Sequence, residues 1–339
     1  MIRIAVDVYG GDNAPDCVLD GALEAMREMP DIHVIFCGAQ EEVRKLLASR
    51  PHDEARVRII DAPDVITNHE SPTLAIRRKL NASLVKTMDA VKAGEADAAV
   101  TAGSTGAALA GGIFRIGRIR GINRPALAPL LPTAAGKPVM LIDCGANVDC
   151  KPEYLVQFAL MGQAYMRGVM GVDKPKVGLL NIGAEDEKGN DLAKSTFPLL
   201  RDHPLVDFYG NVEARDALTG CVQVIVCDGF AGNILLKSTE GAAQLILGKL
   251  KDGLLSSTRS KVGALLVKPA LKGLKNELDY EQYGGAALLG VTGAVVKAHG
   301  SSKAHAYACA IRQARTMVEG KVVDIIAGQL SAAAGDAAK

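Results

Sequence analysis

The sequence has no tryptophan, and aromatics are only 4% of its 339 residues, which leaves little surface on which nucleic-acid bases would stack. An excess of charge of one sign is missing as well. Lysine and arginine number 39 against 38 aspartates and glutamates, a formal +1 that supplies no long-range field for a polyanion, and nucleic acid is excluded as a partner. No apolar run approaches the roughly 18 to 20 residues of a membrane span, because Lys, Asp, Pro or Gly interrupts each candidate, so membrane contact is expected to be peripheral. The seven cysteines lack a pairing pattern. Their closest spacings, Cys144 to Cys150 and Cys221 to Cys227, fit neither CxxC zinc pairs nor a disulfide framework. The chain opens Met1-Ile2-Arg3 into a strand-like run with no signal peptide read ahead of it, and a reducing cytoplasm is the expected location. Also missing are the GxGxxG dinucleotide fingerprint, the P-loop, the GxSxG elbow and HExxH, and the six histidines show no metal-ligand spacing. No metal or cofactor is expected.

What is plentiful is glycine, 36 residues or about 11% where roughly 7% is usual. Short apolar, β-branched runs alternate with helical periods, the pattern of a mostly parallel sheet covered by helices. Strands are expected at 2–8, 33–37, 57–60, 98–101, 139–142, 177–182, 222–227 and 294–297, and a helix is expected after Pro15. Residues 1–330 read as a single α/β domain and the Ala-rich 331–339 as a disordered tail.

In sheets of this kind ligands collect beyond the carboxyl ends of the strands. Those ends carry Asp7 with Gly10-Gly11-Asp12-Asn13, then Thr101-Ala102-Gly103-Ser104-Thr105-Gly106, Asp143-Cys144-Gly145-Ala146-Asn147, Asn181-Ile182-Gly183 with 185–190, Asp228-Gly229-Phe230-Ala231-Gly232-Asn233 and Lys297-Ala298-His299-Gly300-Ser301-Ser302. Glycine lets backbone N–H groups approach an anion, so the loops suit phosphate. Any one of them is also an ordinary turn or helix cap.

Taken in order, Gly10-Gly11-Asp12-Asn13-Ala14-Pro15, Ser71-Pro72 with Arg77-Arg78-Lys79, the segment 101–107, Asn181-Ile182-Gly183 with Lys188-Gly189-Asn190, the segment 228–233, Tyr283-Gly284-Gly285 and Lys297-Ala298-His299-Gly300-Ser301 resemble the bacterial PlsX family of acyl-acyl-carrier-protein:phosphate acyltransferases. The resemblance runs over about residues 1 to 327 and departs at Val8-Tyr9, where the family usually has Ala-Met, a change in packing or in acyl-chain preference. It implies a three-layer α/β/α fold with a Rossmann-like sheet, related to phosphotransacetylases and isocitrate dehydrogenase-like enzymes, with a helical protrusion at about 240–280. It also implies a homodimer that moves a long fatty acyl group from acyl carrier protein to inorganic phosphate. The acyl phosphate would then serve a downstream glycerol-3-phosphate acyltransferase.

Phosphate is an anionic nucleophile and a thiolate leaves a thioester readily, so no Ser/His/Asp triad is required, only positioning and oxyanion stabilisation. Lys188 is the first candidate for stabilising phosphate or the tetrahedral oxyanion, against a solvated turn in which Glu185, Asp186 and Glu187 pair with it at the surface. Asn181 and Asn233 are candidate oxyanion donors or helix caps, and His299 a general acid towards the leaving thiol, a group that polarises the carbonyl, or a structural strand-end histidine. Ser104, Thr105 and Gly106 would bind phosphate, with Asp12, Asn13, Asn147, Asn190, Asp228 and Gly232 as further substrate contacts. Arg78 and Lys79 read as a phosphate clamp, a dock for acidic carrier protein, or an exposed helical face. Cys144 as a covalent acyl acceptor is set aside, since a small buried hydrophobe explains it.

The stretch 249–275 holds seven bases and one acid, Asp252. Apolar residues recur at helical spacing on either side of Pro269, which predicts two short amphipathic helices broken there. Val262, Leu265 and Leu266 form a face for an anionic membrane surface, for a dimer partner, for both, or for packing in the core. Two other functions fit the loops: a short-chain phosphotransacetylase using coenzyme A, and a non-catalytic scaffold for carrier protein and membrane.

Overall fold

The computed structural model describes residues 1–277 and 280–336. The chain builds two sheets and visits the first of them twice. It lays down β1 (Ile2–Asp7), β2 (Ile32–Gly38), β3 (Val57–Asp61), β4 (Ala98–Thr101) and β5 (Ala126–Ala128), then builds a second sheet from β6 (Leu130–Leu131), β7 (Val139–Ile142), β8 (Val177–Asn181), β9 (Phe208–Glu213) and β10 (Val224–Val226). It returns to the first with β11 (Ala286–Leu289) and β12 (Ala294–Lys297). The orders are β3-β2-β1-β4-β12-β11-β5 and β6-β7-β10-β8-β9. Pairing is parallel throughout except at β11 and at β6.

Helices cover the sheets: α1 (Asp16–Glu28), α2 (Gln40–Ala48), α3 (Pro72–Arg78), α4 (Ser83–Lys92), α5 (Thr105–Gly111), α6 (Pro152–Gly168), α7 (Asp191–Arg201), α8 (Gly229–Leu255), α9 (Thr258–Glu277), α10 (Ala304–Glu319) and α11 (Val322–Asp336). Cover on both faces explains why β1 buries Ile4, Ala5 and Val6 consecutively instead of alternating. α1 starts after Pro15, as its sequence predicts, and packs on α10. Gly21 permits that approach, because a Cβ there would lie 2.4 Å from the Ala304 carbonyl oxygen. The sheets are tied by a buried polar link in which Gln313 of α10 donates to the Tyr165 hydroxyl of α6 at 3.0 Å. Their seam is the run from β5 to β6, with Pro129 at the corner.

Some expectations are corrected. The protrusion is a hairpin of two long helices, α8 and α9, and Pro269 lies inside α9. The break falls at Ser256-Ser257, where the Ser257 hydroxyl accepts the Ser260 N–H at 3.1 Å, an N-terminal cap. The carbonyl that Pro269 leaves without a helical donor belongs to Leu265, on a stretch that faces solvent. Val262, Leu265 and Leu266 are exposed on this hairpin, as are Leu245 and Ile246 on α8. A groove of ≈ 640 Å³ runs between the two helices, with Leu254 and Leu265 among its walls. At the other end α11 continues through 331–336, where a disordered tail is expected from 331, since alanine is the best helix former. Residues 278–279 of the protrusion and 337–339 of the tail lie outside the described residues. Among the described residues no helix is long and apolar enough to cross a membrane.

Candidate active site

Two cavities meet at the carboxyl ends of β4 and β12. The first, ≈ 420 Å³, lies at the seam between the sheets, with Asn233, His299 and Lys297 at its polar end and leucines from the β5–β6 run behind them. The second, ≈ 480 Å³, is lined by Asp12, Ser104, Thr105 and Lys297 among others. Thr105, Lys297 and Gly300 border both.

Lys297 stands on the expected rim and in one of the resembling motifs, but the sequence reading gives it no role. It ends β12 only 8% exposed, opposite Thr101 of β4, with its ammonium donating to the carbonyls of Ala102 and Ala298. Burial lowers its pKa to about 8, against the pull of Asp7 and Asp12. Asp7, at the end of β1, is buried too, which raises its pKa, and it accepts the Ser83 hydroxyl at 2.5 Å and the Thr101 hydroxyl at 2.6 Å. Gly10 makes this network possible. A Cβ there would fall 2.6 Å from an Asp7 carboxylate oxygen and 2.8 Å from the Gly103 nitrogen. The available signal is a lysine closing an otherwise apolar strand, Ala294-Val295-Val296, just before a His-Gly-Ser loop.

Of the expected site residues, Asp12, Ser104, Thr105, Asn233 and His299 line these two cavities. The Asn233 side chain has no hydrogen-bond partner among the described residues, and its amide oxygen lies 3.7 Å from where a Gly145 Cβ would be. His299 bonds through Nδ1 to the Ser301 hydroxyl at 2.8 Å. It faces Glu240, whose carboxyl is pushed up by burial and drawn down by His299 and Lys237. Asn13 donates its amide to the Ser301 and Ser302 carbonyls, which ties the first rim loop to the last. Gly106 sits against Pro72, with a Cβ position 2.8 Å from the ring.

The remaining candidates gather on the rim of the second sheet or stand apart. Asn181, Asn190 and Asp228 line a third cavity of ≈ 350 Å³. Asn190 caps α7 by accepting the Ala193 N–H, and Asp228 caps α8 by accepting the Ala231 N–H. Asn181 donates to the Lys188 carbonyl at 3.0 Å and accepts the Ile182 N–H, so its amide shapes the turn. Lys188 is exposed on that turn. Asn147 donates to Pro125 and to the buried Asp143 carboxylate, which also accepts the Leu127, Ala146 and Asn147 N–H groups. Burial holds Asp143 up at about 6. Gly232 packs on the same loop, since a Cβ there would meet the Asp143 carbonyl oxygen at 1.9 Å. Lys79 is held by Glu70 at 2.7 Å, which keeps Glu70 at about 2, while Arg78 is exposed and borders none of the three cavities. The Cys144 thiol is buried, and burial beside Asp143 pushes its pKa up, the opposite of what a nucleophilic thiolate needs. Among the described residues no group of three or more His, Cys, Asp or Glu is arranged to hold a metal ion.

The arrangement offers a buried cation with hydroxyl and amide donors beside an apolar recess, suited to holding a small anion against an acyl carbonyl. In fold the chain is similar to a phosphotransacetylase from Streptococcus pyogenes, with a TM-score of 0.63 at 17% identity over 95% of this chain and 94% of that one. It is also similar to a branched-chain phosphotransacylase from Enterococcus faecalis V583, with a TM-score of 0.57 at 14% identity over 94% and 100% of the two chains. In sequence it is 52% identical to a phosphate acyltransferase of Clostridium acetobutylicum over 327 residues, 96% of this chain and 98% of that protein. It is 49% identical to one from Bacillus cereus (strain B4264) over 325 residues, 96% and 97% of the two. Residues 2–324 match the model of the family described as fatty acid synthesis protein, and the chain belongs to that family.

Proposed function

We propose that this protein transfers a long-chain acyl group from acyl carrier protein to inorganic phosphate. The observation that carries the reading is the buried Lys297 ammonium, which borders an anion-suited cavity on one side and an apolar one on the other. Phosphate sits in the second cavity against Lys297 and the Ser104 and Thr105 hydroxyls, with the thioester carbonyl at the junction beside Asn233. A phosphate oxygen attacks the carbonyl carbon, and the negative charge that moves onto the carbonyl oxygen is stabilised by the Asn233 amide. The C–S bond then breaks, acyl phosphate departs, and the thiolate takes a proton from His299. Lys188, exposed on the turn beside Gly189 and Asn190 of the third cavity, brings a second cation from the neighbouring rim. The bases of 249–275 attract acidic carrier protein. The exposed apolar hairpin serves a homodimer and an anionic membrane surface, to which the protein binds peripherally from the cytoplasm.

The test is phosphate-dependent thiol release and acyl phosphate formation by the purified protein, with palmitoyl-carrier protein beside acetyl-coenzyme A. Turnover of the carrier-protein substrate is expected. Turnover of acetyl-coenzyme A alone would make the protein a short-chain phosphotransacetylase, and liposome binding without any thiol release would make it a scaffold.

A further inference from the structure

The mechanism above uses only the polar end of the first cavity. Its other walls include Leu127, Leu130, Leu131, Val148, Phe230 and Leu236. The three leucines from the β5–β6 run form a buried floor, none more than 4% exposed. Val148 and Phe230 are different, 58% and 60% exposed although they border an apolar recess. Large apolar side chains left facing water at such a mouth forgo the stabilisation that burial would bring, and exposed apolar surface of this kind marks a place where something apolar docks. The volume of ≈ 420 Å³ is that of a small-molecule site, and the recess is continuous with Lys297, Asn233 and His299. Its occupant is therefore joined to the reacting carbonyl. A methylene chain meets both conditions, since it is apolar along its length and thin enough to reach a floor closed to a folded partner.

Resting on the acyltransferase reading, we propose that the Leu127–Leu130–Leu131 floor and the Phe230–Val148 mouth seat the methylenes next to the thioester and set the chain-length preference. Binding of uncleavable S-alkyl pantetheine thioethers of increasing length to the full chain, measured by calorimetry, tests this. In the wild type each added methylene tightens binding about fourfold until the recess is filled. Phe230→Ala and Val148→Ser, both at exposed positions, weaken the long-chain probe about tenfold and the ethyl probe less than twofold. Leu130→Trp, its folding checked by circular dichroism, shortens the length at which the gain stops. Affinity independent of chain length in the wild type, or equal losses for all probes in the mouth variants, would overturn the assignment. So would a Phe230→Ala protein that changes oligomeric state with an unchanged chain-length profile, since a second copy of the chain would then be what covers the mouth. Thioether binding needs neither phosphate nor turnover, so a lack of acyl phosphate formation would count against the proposed function and leave this result standing.

Discussion

The rims of the two sheets are written in the same residues, glycine with Asn, Ser or Asp, and the molecule uses them differently. On the first sheet the rim closes over charge: Asp7 and Lys297 are buried, and the Ser83 and Thr101 hydroxyls serve Asp7. On the second, Asn190 and Asp228 cap helices, Asn181 shapes a turn, and the cation, Lys188, stands in solvent. Composition therefore locates a strand end; each rim buries a carboxylate, Asp7 or Asp143, and it is the buried cation Lys297 that separates a rim able to grip an anion from one built chiefly of caps. Burial of the Lys297 ammonium outweighs the pull of Asp7 and Asp12, so a bound anion would compensate it further.

Lys297→Met tests that contrast with the largest expected effect, about a thousandfold loss in kcat/KM for phosphate, carried mainly by KM. Lys188→Ala should lower kcat by about a hundredfold with folding intact by circular dichroism. A near-normal rate would leave the second rim purely structural, and a loss larger than that of Lys297→Met would reverse the ranking of the rims. The third effect is smaller. Lys297 loses its charge as pH rises through about 8, so the KM for phosphate should climb about tenfold per pH unit above that point, and the climb should be absent in Lys297→Met. The smallest is in stability. A lysine whose folded value is depressed holds its proton more weakly folded than unfolded, so the wild type should gain stability relative to Lys297→Met as pH rises from about 8 to about 10.5, read as a growing difference in Tm. For the hairpin, outside both rims, Leu265→Glu should abolish liposome sedimentation while phosphate-dependent activity in solution persists, and unchanged sedimentation would take the membrane role from this face.

Three of the expected strands, 98–101, 139–142 and 294–297, coincide with β4, β7 and β12, because a parallel core strand is a short apolar run bounded by loop residues. β5 and β11 escaped notice for the converse reason. Ala-Leu-Ala and Ala-Ala-Leu-Leu are helix-forming in isolation and are extended here by their pairing with each other. Asn190 and Asp228, expected as substrate contacts, are caps, and the general turn-or-cap reading of these loops already allows this, since each accepts from a backbone N–H three residues ahead, a purely local relation. Lys297 was not legible in this way. Its burial depends on β12 lying beside β4 and β4 beside β1, which sets it near an aspartate 290 positions away in the chain.

The double visit to the first sheet has a consequence during synthesis. β12 belongs between β4 and β11, and β5 joins the sheet only through β11, so a growing chain carries an unpaired β4 edge while the whole second sheet is made. Non-local pairing of this kind is slow to form, and an open edge is a template for aggregation. A chain stopped before Ala294 would retain Asp7, Ser104 and Thr105 yet lack the cation between them, and its sticky edge would be the one its own last strand is made to close.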